Sequence, residues 1–248
     1  MSRPFLLAVC RPPGAILDNE LREIPRLGGF NPDTELEAIE LGNPDSPAIA
    51  DINLDRYSGV FITGSKYGFS ETGTKNAEHR RIEERTLQLC EKLLNQDVPT
   101  LGFCYGIQAL ALAGGGSLST RYGEDICAPD LFVTPAGRED PILRNVPEKF
   151  SAFVGHKDAV DGLPRDSEVL VRGTTCPVQM LRIKNNCYAT QFHPEITNEA
   201  MHIRLEFYNG STYFDPATAQ ELWAHCDAAD ISGSLGIIGA FVNRYRRN

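Results

Sequence analysis

Cys104 lies between two glycines in the stretch TLGFCYGIQALALAGGG, residues 100–116, where an apolar run gives way to a helical pattern. A nucleophile on a sharp turn between a strand and a helix needs small neighbours, because backbones crowd there. A helix that begins just after the thiol points its first N–H groups at it, which favours the thiolate and can hold a developing oxyanion. A buried core cysteine that happens to precede a helix reads the same way locally, so both readings stand on this stretch alone. The second group is ATQFHPEIT, residues 189–197, with His193 and Glu195 on either side of Pro194. A catalytic cysteine needs an imidazole to take its proton, and the imidazole needs an acid to set its tautomer. At positions i and i+2 after a strand, both side chains reach the same side of a sheet.

The elements that must position these residues follow from the pattern of apolar residues. PFLLAVC reads as a first buried strand, closed by Pro12, Pro13 and Gly14, and residues 16–27 as a helix. ELEAIEL is a weaker alternating strand and YSGVFITG a strong one stopped by Gly64. NAEHRRIEERTLQLCEKLLNQ is the clearest helix, with Ile82, Leu89 and Leu93 on one face. VPTLGF is the next strand and YGIQALALA the next helix, with Gly114, Gly115 and Gly116 as its C-cap cluster. This alternation predicts an α/β fold, a doubly wound, mostly parallel sheet with helices on both faces. Such sheets place ligands beyond the carboxyl ends of their strands, where Gly64 and Cys104 both sit.

From about 125 to 195 the texture changes. LFVT, FSAFV, EVLVRG, VQMLRI and CYATQF are short strands joined by Pro/Gly/Asp turns, expected as antiparallel additions to the sheet. After 197 the chain reads as helical, with Asp215 and Pro216 as the N-cap and first position of one helix. The last segment places Leu235, Ile238, Val242 and Tyr245 on one face. The expected division is one domain over 1–210 and a helical extension over 211–248 that packs on it.

The 248 residues are 42% hydrophobic, enough for a substantial core, and 23% charged. The formal net charge of −9 argues against nucleic acid or an anionic membrane as the main partner. No secretory leader is visible, and no apolar run approaches the ~20 residues of a membrane helix. Seven cysteines, at 10, 90, 104, 127, 176, 187 and 226, form no CxxC pair and no tight cluster with histidine. This reads as reduced thiols in a cytoplasmic protein, with no metal site and no cofactor. His79, His202 and His225 read as structural.

GFCYGIQ and QFHPE, with Cys104 and His193 89 residues apart, together resemble the paired signatures of class I (triad-type) glutamine amidotransferases. The resemblance runs from about Arg3 to Arg204. FITGSKYGFSE is similar to that family's oxyanion-loop segment, and AFVGHKDAVDGLP to the Ser-His-Gly-Asp stretch of stand-alone members and of the amidotransferase part of GMP synthetase. LFVTPAGREDPIL and PVQMLRI are similar to sequence of the same subgroup. The resemblance implies a flavodoxin-like fold and the hydrolysis of L-glutamine's side-chain amide, with ammonia passed to an acceptor site. It implies Cys104 as nucleophile, His193 as general base and acid, and Glu195 as the group that orients it. The backbone N–H groups of Ser65 and Tyr105 would form the oxyanion hole, and Gly64, Gln108, His156, Lys157 and Asp158 would contact substrate.

The chain departs from the family pattern at Ser65, Lys66 and Lys157, where glycine, proline and glycine are usual. Serine can still offer a backbone N–H, but without the φ freedom of glycine, and Lys157 is expected to point into solvent. With no ATP-binding signature of the GxxxxGK[ST] type, the acceptor is expected on another polypeptide, a separate synthetase subunit. Hydrolysis of γ-glutamyl peptides or amines by the same triad is a competing reading, as is a regulatory or binding subunit silent without its partner. A cysteine hydrolase of the intracellular-protease or deglycase type shares the elbow but lacks QFHPE. Oligomeric state is not legible.

Overall fold

The computed structural model describes residues 2–208 and 219–247. Its strands are β1 (Phe5–Val9), β2 (Leu36–Glu40), β3 (Val60–Ile62), β4 (Thr100–Phe103), β5 (Ser117–Ser119), β6 (Glu124–Cys127), β7 (Asp130–Val133), β8 (Lys149–Ser151), β9 (Val154–His156), β10 (Ala159–Gly162), β11 (Ser167–Gly173), β12 (Met180–Ile183) and β13 (Cys187–Thr190). Its helices are α1 (Ala15–Gly28), α2 (Pro32–Glu35), α3 (Ala77–Gln96), α4 (Tyr105–Ala113), α5 (Pro135–Glu139), α6 (Asn198–Tyr208), α7 (Ala219–Ala228) and α8 (Ser232–Tyr245).

Among the described residues, nine strands form one sheet in the order β2-β1-β3-β4-β13-β12-β11-β7-β8. The first five run parallel and the rest add antiparallel. The parallel half has the flavodoxin-like order, in which strands flanked by helices are buried on both faces. The sequence shows this directly: β1, β3, β4 and β13 are continuous buried runs, whereas the edge strand β2 buries only Ile39. On β1, Leu6 and Ala8 face the layer of α3 and α4, while Phe5, Leu7 and Val9 face the layer of α1 and α8. Helices therefore cover both faces, as the alternation of elements predicts.

One expectation for the sheet changes. CYATQF is not an antiparallel addition: β13 pairs parallel with β4, inside the sheet, with Thr190 opposite Phe103. The glycine cluster expected at the end of α4 is present, with Gly115 in the left-handed region (φ 82°). Gly115 N–H donates to the Leu112 carbonyl and Gly116 N–H to the Ala111 carbonyl, the bond pattern of a helix closed by a left-handed glycine. Asp215 and Pro216 lie outside the described residues. The core-facing stripe of α8 is Ile237, Ile238, Phe241 and Val242, packed beneath β1 and β3. Leu235 belongs instead to a separate apolar cluster with α6 and α7.

Candidate functional site

Parallel register sets the carboxyl ends of four strands level with one another, because Ala8 pairs with Ile62, Ile62 with Gly102 and Phe103 with Thr190. The residues that follow each strand, Arg11, Gly64, Cys104 and His193, therefore meet at one edge.

Cys104 is the turn between β4 and α4, at φ 48° and ψ −90°. A non-glycine residue there carries strain of roughly 1–3 kcal/mol, held by its surroundings. Its N–H donates to the Thr190 carbonyl at 2.7 Å, and its own carbonyl accepts from the Ile107 and Gln108 amides. The flanking glycines are steric requirements: a Cβ on Gly102 would lie 3.0 Å from the Gly106 carbonyl carbon. The sharp turn expected from the glycine spacing is present, and it opens a helix whose first-turn N–H groups lack intrahelical acceptors.

His193 follows β13, and its N–H donates to the Phe153 carbonyl at 2.9 Å, in an isolated antiparallel bridge. The ring Nδ1 is 2.6 Å from Glu195 Oε1, and the Glu195 side chain is fully buried. Burial alone would lower the His193 pKa, but Glu195, helped by a hydrogen bond with Cys104, outweighs it and raises the value to about 10. Burial likewise pushes Glu195 upward, and the adjacent His193 holds it below its ordinary value. Gln191 Nε2 approaches the Cys104 sulfur at 3.6 Å.

The loop after β3 explains the departures from the usual pattern. Ser65 is not among the positive-φ residues, so the glycine it replaces is not required for backbone freedom. Its hydroxyl donates to the Cys10 carbonyl at 2.6 Å and accepts from the Tyr67 amide, tying the loop to the end of β1. Gly64 is needed for space, since a Cβ there would lie 2.9 Å from Arg11 Nη2 and 3.2 Å from His193 Cε1. It is packed behind the pocket instead of on its wall. Farther along, Phe69 stacks on Tyr105 and Tyr67 on the buried His79, each at 4.4 Å.

In front of Cys104 lies a cavity of about 510 Å³, walled by Ser65, Tyr67, Tyr105, Gln108, His156 and Asp158. Gln108 is no solvated helix residue: its Nε2 donates to the Asp158 carbonyl at 2.8 Å. His156 Nδ1 faces the same carbonyl at 3.0 Å. Asp158 Oδ2 accepts from the Ser70 amide, while the buried Oδ1 has no hydrogen-bond partner. Lys157 is exposed at the rim, as expected.

One grouping escapes the cysteine motifs. Glu124, His156 and Cys176 bring three possible metal-donor atoms within 4.8 Å of one another. They come from three separate segments, so no local spacing reveals them. Each already has a partner in the protein: Glu124 Oε2 faces His156 Nε2 at 3.0 Å and accepts from Gln179 at 2.7 Å, and the Cys176 thiol donates to the Val178 carbonyl. All seven cysteines are free thiols, and six are buried. No helix among the described residues is long and apolar enough to cross a membrane.

The family model for class-I glutamine amidotransferases matches residues 35–209, well over half of the chain. The chain belongs to that family. It is 34% identical over 116 residues to a glutamine-hydrolysing GMP synthase subunit from Methanococcus aeolicus, a match covering 46% of this chain and 60% of that protein. It is 36% identical over 109 residues to a GMP synthase from Thermosipho melanesiensis, 44% of this chain and 20% of that protein. The matched region thus spans less than two thirds of these relatives. Among solved structures, a glutamine amidotransferase from Thermotoga maritima superposes with a TM-score of 0.76 at 20% identity, covering 98% of both chains. One from Methylobacillus flagellatus gives 0.70 at 15% identity, covering 100% of this chain and 97% of that one. At those identities the likeness is one of fold.

Proposed function

We propose that this amidotransferase hydrolyses the side-chain amide of L-glutamine at Cys104 and supplies the ammonia to an acceptor site on another chain. The reading rests on one observation above all. The strained Cys104, next to the His193–Glu195 pair, opens onto a cavity whose lining includes Asp158. The Asp158 carboxylate suits the α-ammonium of an amino acid, with Gln108 and His156 bonded to the Asp158 carbonyl and fixing the loop that carries it. The substrate's amide then faces Cys104.

The sulfur attacks the amide carbon, and the backbone N–H groups of Ser65 and Tyr105 receive the charge that develops on oxygen. His193, held protonated by Glu195, gives its proton to the departing ammonia and leaves a γ-glutamyl thioester. Water deprotonated by His193 attacks the thioester, releasing glutamate and a proton and restoring the Cys104 thiolate beside protonated His193. The relatives include a glutamine-hydrolysing protein described as one subunit of a GMP synthase, so this reading calls for a separate synthetase chain as partner. Seven free thiols fit the cytoplasm.

The test is glutamate release by the purified chain from L-glutamine, with γ-glutamyl peptides and amines alongside and Cys104→Ala as control. Release from glutamine that disappears in the variant supports the proposal. Cleavage confined to γ-glutamyl peptides or amines replaces it with a peptidase or amine hydrolase. Silence on all of them, with Cys104 still alkylated by a glutamine-like electrophile, points to a protein that waits for its partner.

A further inference from the structure

Arg11, the second residue past β1, is buried beside the reactive pair, yet no motif singles it out. Its Nη2 lies 2.9 Å from Glu20 Oε1 of α1. A Cβ built on Gly64 would lie 2.9 Å from that Nη2, 3.2 Å from His193 Cε1 and 3.8 Å from Cys104 Cβ, and Arg11, His193 and Cys104 line one small cavity there. Glu20 is shared: Arg204 Nη2 of α6 approaches the same Oε1 at 3.4 Å, while Arg204 Nη1 donates to Asn19 Oδ1 at 3.0 Å. Two guanidiniums and one carboxylate, all buried, thus carry a net positive charge against the inner side of the site. Burying three ions is costly and is weak evidence for stability by itself, so the placement calls for another role.

We propose that Arg11 is a positioning residue for the reaction: its guanidinium, aimed by Glu20, favours negative charge on the Cys104 sulfur and fixes the Gly64–Ser65 turn. The two effects share one cause, since the guanidinium fills the space that only glycine leaves open at 64. The charged and titratable groups facing it are Glu20 from α1, Arg204 and Tyr208 from α6, and His193 and Glu195 after β13. Cys10 stands at the end of β1, and Lys66 on the loop after β3. Burial would lower the Arg11 pKa, but Glu20 outweighs that and raises it, so the positive charge is permanent. Substitutions at Arg11 and Glu20 therefore change the local charge in opposite senses.

The experiment is the pH dependence of Cys104 alkylation by iodoacetamide in the full chain, mapped by mass spectrometry, alongside kcat and KM for glutamine. For Arg11→Met the alkylation midpoint is expected about one pH unit higher, which is roughly 10-fold slower labelling below the midpoint. In the same variant kcat falls about 10- to 100-fold while KM changes less than about 3-fold. Arg11→Lys keeps the charge and the midpoint. Glu20→Gln, which leaves the guanidinium unneutralised, moves the midpoint down. If Arg11→Met does not fold, Arg11→Lys and Glu20→Gln still decide the matter. An unmoved midpoint in Glu20→Gln, or shifts of the same sign at both positions, overturns the proposal, because a purely structural role cannot produce opposite signs. The alkylation profile reads Cys104 itself, so it stands even if glutamine is not the substrate.

Discussion

The two sides of Cys104 are built on opposite principles. The outer side is a cavity of about 510 Å³ with an open rim that carries Lys157, and its lining includes Gln108, His156 and Asp158. The inner side is closed by charge: Arg11, Glu20 and Arg204 are buried and meet in ion pairs, beside the buried Glu195. A substrate that arrives and leaves with each turnover needs an empty, polar place, and the outer wall supplies one. A sulfur that must remain reactive through every turnover needs a fixed field, and preorganised ions supply that without reorganising. Under the proposed function, recognition belongs to one side of the cysteine and activation to the other.

If the division is correct, substitutions on the inner side lower kcat and those on the outer side raise KM. The largest effect is expected at the centre, where Cys104→Ala reduces glutamate release to the blank in a steady-state assay. Next is Glu195→Gln, expected to lower kcat about 100-fold or more, as loss of a tautomer-setting acid does. The same change removes the main group raising His193, so the imidazole pKa falls from about 10 toward its ordinary value, measurable by histidine NMR. Asp158→Asn is expected to raise KM about 10-fold with kcat nearly unchanged, since it removes charge from the pocket wall while leaving an acceptor for Ser70. Lys157→Ala, at the exposed rim, is expected to leave both constants within about 2-fold.

Stability has its own pH signature on the inner side. The folded-state pKa of His193 is raised from 6.5 to about 10. The stability from its contacts is therefore complete below pH 6.5 and is lost as pH rises through 10. The difference in unfolding free energy between the wild type and His193→Gln should accordingly shrink between those values, as read by denaturant titration.

The outer side and the elbow were legible in the sequence, and the inner side was not. Gly102 is dictated by the backbone of Gly106 within one strand–turn–helix, so the spacing carries that geometry, while Gly106 is crowded by Ile62 of β3. His193 and Glu195 are two residues apart and meet each other through that local spacing. Glu20 and Arg204, 184 residues apart, are joined only by the packing of α1 against α6, and Arg11 reaches Glu20 from the turn after β1. No periodicity connects such positions. The same limit explains β13, whose four residues look like those of the antiparallel strands before it, while its place beside β4 is set by long-range pairing. Gly64 was legible as a loop glycine, but the reason for it, the guanidinium against its Cα, needed three dimensions.

The most direct measurement is peptide-mapped mass spectrometry of the chain treated with a glutamine-shaped diazoketone, with and without L-glutamine. A single adduct on Cys104, suppressed by L-glutamine and slowed in Asp158→Asn, is the expected result. An adduct on another cysteine, or labelling of Cys104 that L-glutamine does not suppress, would contradict the assignment of this cysteine and its outer pocket to glutamine.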